Sequence, residues 1–189
     1  MHKNVRKSDS LAHETGTLRE NLDEMNTLWN TDVSEILEIM PQVIVLIKEI
    51  ISSKGKTGEK KEQVMSKLSK LGELYNNMER IDALMYDLLI EIDGLDFPLK
   101  NPKKLMKLSK EDTETIKLLQ TFAKNISKTI TFVGSSNLEV ELLESSLKSF
   151  ESSYNDYTNV VEKSRELLKD LQTELDNEHM KARKYVDYV

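Results

Sequence analysis

A repeat of seven runs through the last quarter of the chain and restricts the fold more than any other feature. One apolar series is Val140, Leu147, Tyr154, Val161, Leu168, Leu175, Ala182 and Val189. The other is Leu143, Phe150, Tyr157, Ser164, Leu171, Glu178 and Tyr185, so only Ser164 and Glu178 interrupt the pattern. Two such series, three and four residues apart, lie on one side of an α-helix. Kept at a strict period of seven, they form a seam that must wind against another helix. Ser136-Asn137-Leu138-Glu139 has the form of a capping box and opens this helix, which is expected over about 137–187.

Three further helices are expected. The first covers about 10–53, with Leu11, Leu18, Leu22, Met25, Trp29, Ile36, Ile39, Val43, Leu46 and Ile50 on its stripe and Thr15 and Asp32 as polar members. Thr17-Leu18-Arg19-Glu20 offers a second capping box. Pro41 lacks a backbone donor and crowds the preceding turn, so a kink or break is expected near Met40. The second helix covers about 59–93, with Asp82 interrupting its stripe and Gly94 ending it. The third covers about 110–133, capped by Ser109 with Asp112 and carrying Ile116, Leu119, Ala123, Ile126, Ile130 and Val133. The chain therefore divides into a basic flexible N-terminus (1–9), a first hairpin (10–93), a Pro- and Lys-rich link (94–109) and a second hairpin (110–189). Six Gly, 3 Pro, 6% aromatic and 32% charged residues suit long helices and argue against the frequent turns of β folds. The fold class is all-α, an elongated bundle or coiled coil of four helices.

Lengths then set a mismatch. At 1.5 Å per residue the fourth helix is about 75 Å long and the third only about 36 Å. A tight turn makes them antiparallel neighbours, so the fourth overhangs the third by about 40 Å. The overhang and the start of the first helix leave Val161, Leu168, Leu171, Leu175, Tyr185, Leu18 and Leu22 as expected contacts for a partner chain. Other helical subunits are the expected partners, in a hetero-oligomer or, alternatively, a homodimer. The competing reading is a self-contained bundle in which the first and fourth helices cover each other.

Charge is unevenly placed on a chain of net charge -6. Residues 54–70 carry six Lys against two Glu, and residues 99–110 carry five Lys and no acid. Lys54, Lys56, Lys60, Lys61, Lys100, Lys103, Lys104 and Lys107 are the candidates for contact with a membrane surface or microtubule. The overall acidic balance disfavours nucleic acid. No apolar run approaches the ~20 residues of a membrane span. No secretory signal is expected after the basic first ten residues, and the absence of Cys fits an intracellular protein, cytoplasmic or cytoskeletal, with the nucleus as alternative.

The search for chemistry returns little. Asp176-Asn177-Glu178-His179 is half of a bundle metal motif without its mate, and is expected to be solvent-exposed. Gly55-Lys56-Thr57 lacks the preceding glycine of a phosphate loop, since Ile50 stands there. No catalytic, cofactor or metal residue is assigned, and no cofactor is expected. The general plan, with Asp93-Gly94-Leu95-Asp96-Phe97-Pro98 leading into the third and fourth helices, resembles the small coiled-coil subunits of cytoskeletal complexes, such as the dynactin small shoulder subunit and kinetochore linker subunits. That resemblance implies a non-enzymatic structural subunit of a larger assembly. A peripheral membrane adaptor presenting the Lys-rich turns is the alternative.

Overall fold

The computed structural model describes residues 2–53, 58–95, 98–133 and 137–187, without the side chains of residues 2–9, 137 and 185–187. Its elements are four helices: α1 (His2–Ser52), α2 (Gly58–Asp93), α3 (Pro102–Ile130) and α4 (Asn137–Asp187). The molecule is an all-α helical bundle.

Three boundaries differ from expectation, each for a local reason. α1 begins at His2 and runs through the Thr17 capping box, where the Thr17 hydroxyl donates back to the His13 carbonyl at 3.0 Å. It also runs unbroken through Pro41, whose missing N–H leaves the Leu37 carbonyl without its usual helical donor. α3 starts at Pro102, eight residues early, because proline is preformed for the first helical position and needs no donor there. Leu105 N–H closes the first turn on the Asn101 carbonyl at 3.1 Å. Ser109 and Asp112 therefore lie inside α3 rather than capping it. Ser109 donates to the Asp82 carbonyl at 3.3 Å, and Asp112 is buried.

Compactness divides the chain across the helices, not between the two expected hairpins. One unit gathers residues up to Trp29, Ile81–Lys110 and residues from Glu162 onward, and the other gathers Asn30–Arg80 and Glu111–Val161. In the first unit α1 and α4 run antiparallel: Thr15 meets His179, Arg19 meets Asp176, and the Arg165 guanidinium stands 6.0 Å from the Trp29 ring centre. The end of α2 and the start of α3 complete it. Lys110 lies 5.3 Å from the Tyr86 ring centre, and Lys100 N–H donates to Glu174 at 2.8 Å.

This unit overturns the length argument. Residues 98–110 double back as part of the tail's own cover, and the first half of α1 supplies more. Val161, Leu168, Leu171, Leu175, Leu18 and Leu22 are 1%, 3%, 0%, 0%, 6% and 0% exposed within the single chain. They are core, not a seam left for a partner. Tyr185, expected with them, has its side chain outside the described residues.

In the second unit, segments of all four helices enclose Ile36, Met40, Ile47, Leu71, Met78, Ile126, Leu143 and Phe150. Lys48–Glu151 and Lys70–Glu35 ion pairs flank this core at 2.6 and 3.6 Å. The α1 stripe changes phase here. Val33, Met40 and Ile47 are fully buried, while Asp32, Ile39 and Leu46 are only half-buried. Consecutive four-residue steps at Met25, Trp29 and Val33 account for the change, an insertion in the seven-residue rhythm that returns the stripe to the natural helical period. Asp32 is thus not a seam residue. Burial, then the Glu35 charge, raise its carboxyl pKa, with Lys70 opposing.

The α4 register agrees with the repeat: Leu147, Val161, Leu168 and Leu175 are buried on one series, and Leu143, Phe150, Tyr157, Ser164 and Leu171 on the other. Leu171→Ala is expected to destabilise the isolated chain by about 2–5 kcal/mol, since it opens a cavity in a closed core. Urea unfolding followed by circular dichroism checks this. A loss no larger than the ~0.5 kcal/mol of a surface substitution would remove Leu171 from the core.

Candidate functional site

The Lys-rich turns are not equivalent. Lys54 and Lys56 lie outside the described residues. Lys60 and Lys61 are half-buried and engaged: Lys60 pairs with Glu49 at 3.2 Å, and the Lys61 ammonium donates to the Val133 carbonyl. Holding down the end of α3 leaves Lys61 little freedom to meet a partner. Lys100, Lys103, Lys104 and Lys107 are all exposed where α3 begins. The first acid after them on that helix is Glu111.

Exposed apolar side chains occur along all four helices, Val45 and Met180 at 54% and Leu118 at 50% among them. Phe132 and Leu138 are each 63% exposed and Leu142 is 51% exposed. Leu138 and Leu142 stand one turn apart on the first two turns of α4, and Phe132 lies in the turn that ends α3. Continuing from Leu138 and Leu142 at alternating steps of three and four come Ser145, Ser149 and Ser152, at least partly exposed. This is a second stripe on α4, on a different side from the buried repeat. It begins with two leucines and continues with side chains small enough for a close helix approach. In the sequence this stripe is masked by the buried repeat on the same helix, which is longer and more apolar.

His179 is the main polar surprise. Expected to be solvent-exposed, it is 8% exposed and packs on α1. Its Nδ1 stands 3.0 Å from the Thr15 hydroxyl oxygen, which itself donates to the Leu11 carbonyl at 2.8 Å. Gly16 admits the ring: a β-carbon there would lie 3.0 Å from the imidazole Cε1. A lone His in a weak motif gives no hint of this, because the signal is Gly16 on a distant helix. Burial lowers the His179 pKa, aided by the Arg19 and Arg183 charges, with a hydrogen bond to the Ala12 backbone and the Asp176 carboxylate opposing.

Recesses lined by described residues accompany these surfaces. In the first unit, Arg19, Glu20, Asp23, Gln172 and Asp176 line a polar recess of about 350 Å³. In the second unit, a groove of about 410 Å³ runs between α2 and α3. Among the described residues no three His, Asp or Glu side chains gather in a way that could hold a metal ion. Nor, among them, is any helix long and apolar enough to cross a membrane. Comparison with protein-family models, curated proteins and solved structures finds no match.

The lowered pKa of His179 carries a sign. The folded chain binds fewer protons at this site than the unfolded chain, so stability falls as pH drops below the ordinary histidine value of about 6.5. Between neutrality and about pH 5.5, the parent is expected to lose stability that a His179→Gln variant does not. Urea titrations of both at several pH values test this. Parallel curves would mean that protonation of His179 is not opposed by the fold.

Proposed function

We propose that this chain is a non-enzymatic structural subunit that pairs with helices of other chains in a larger intracellular assembly. The observation that carries this reading is the exposed stripe headed by Leu138 and Leu142, with Phe132 close by in sequence. It takes the place of the expected contact at the α4 tail, which the chain covers by itself. Burying a leucine contributes roughly 1.5–3 kcal/mol, so two at adjacent turns give a partner helix an anchor. The hydroxyl-bearing positions beyond them let the partner backbone come close. A cytoskeletal setting for that assembly rests only on the resemblance suggested by the order of helices in the sequence, and the covered α4 tail lacks the free seam that went with it.

A peripheral membrane adaptor is the second reading. The exposed Lys100, Lys103, Lys104 and Lys107 favour it. Anionic surfaces attract such clusters at low ionic strength and release them as salt is raised. Flotation with phosphatidylserine vesicles at two salt concentrations separates it from the first reading. A third reading, a self-contained bundle, is favoured by burial of the α4 tail.

Leu138→Asp combined with Leu142→Asp is expected to leave the helical circular dichroism unchanged. The same pair should remove the partners that co-purify with the parent, identified by mass spectrometry, or dissolve its self-association in sedimentation. A double variant that retains every parental partner would sink the pairing surface. A parent that sediments as a monomer and co-purifies alone would favour the self-contained bundle.

A further inference from the structure

The groove between α2 and α3 owes its depth to an unexpected glycine. Gly72 stands in the interior of α2, where glycine costs about 1 kcal/mol relative to alanine. No close contact requires it: a β-carbon at this position would meet nothing within 4 Å. Gly16, by contrast, makes room for the His179 ring. The absent side chain at Gly72 leaves open space above Tyr75, which is fully buried beneath the groove. Leu68 and Ala123, only 5% and 8% exposed, form an apolar floor with Tyr75, and Asn76 and Gln120, hydrogen-bonded at 3.2 Å, line it with Ser127. Met65, two helical turns before Gly72 and so on the same side of α2, is 37% exposed and extends the apolar surface.

The α3 rim is basic. Lys124 and Lys128 are one turn apart, both line the groove, and both are exposed. Among the described residues neither has an ion-pair partner, and no carboxylate lines the groove. An apolar trough with two unneutralised cations along one rim complements a helix that carries leucines on one face and carboxylates beside them.

We propose that this groove docks an acidic amphipathic helix of a partner protein, with an apolar side chain filling the space above Gly72 and carboxylates against Lys124 and Lys128. The class of partner rests on the structural-subunit reading, while the surface is a different one from Leu138 and Leu142. The two therefore fail separately.

The probe is a synthetic, fluorescein-labelled helix of about 18 residues, or about five turns, with Leu on one face and Glu flanking it. Anisotropy titration with the full chain is expected to show saturable binding that weakens as salt is raised. Gly72→Leu, which fills the trough, and the pair Lys124→Glu with Lys128→Glu are each expected to weaken binding by about tenfold or more. Leu138→Asp with Leu142→Asp is expected to leave it unchanged. Gly72→Ala serves as the folding control and is expected to raise the thermal midpoint, because the site has room and alanine favours helix. Absence of saturable binding by the parent would overturn the proposal. So would equal affinity for the same helix with Lys in place of Glu, or variants that bind as the parent does. Saturable binding of dodecanoate that displaces the peptide would instead assign the groove to small amphiphiles, and would also overturn it.

Discussion

Everything in this molecule depends on covering two apolar stripes, each carried by a helix of 51 residues. Such a stripe has to be buried turn by turn, because any uncovered stretch leaves several leucines in water. The chain meets this demand with segments drawn from all four helices in each compact unit. Residues 98–110 are decisive for the tail of α4. Had they been a loose link, Leu168, Leu171 and Leu175 would have lacked part of their cover. With the opening turns of α3 among them, they place Leu105 and Leu108 in the core of the same unit.

Polar groups refine this packing rather than compete with it. His179 enters the first unit because Gly16 yields the space and Thr15 offers a hydroxyl. Asp32 stays at the margin of the second because the stripe shifts phase at Trp29 and Val33 takes the inner position. Each is a case of a small or apolar residue on one helix deciding the surroundings of an ionisable residue. The energetic consequence is local, since exposed pairs such as Arg19–Asp176 and Lys70–Glu35 contribute little on their own.

Three of the uncovered surfaces among the described residues differ in kind. The head of α4 offers bare leucines followed by serines, the α2–α3 groove offers an apolar trough with a basic rim, and the start of α3 offers exposed lysines. A helix, an acidic helix and an anionic surface are the respective complements. None coincides with the tail seam suggested by comparing helix lengths. The lengths of α3 and α4 do not register the cover that residues 98–110 and the first half of α1 together give the tail.

The all-α class, the four helices and the α4 register were legible in the residues themselves. They follow from local properties: the period of the apolar positions, the capping residues, and glycines and prolines between helices. Pro102 misled because proline punctuates a link and opens a helix equally well, and only the backbone path distinguishes the two. The candidate surfaces were scarcely legible. A repeat of seven states that a stripe exists, but not which residues far along the chain will lie on it. Long-range pairing alone decided that Leu171 is inside, that Leu138 is outside, and that Gly72 faces open space while Gly16 faces a ring. Burial is a relation between segments distant in sequence, and no single segment contains it.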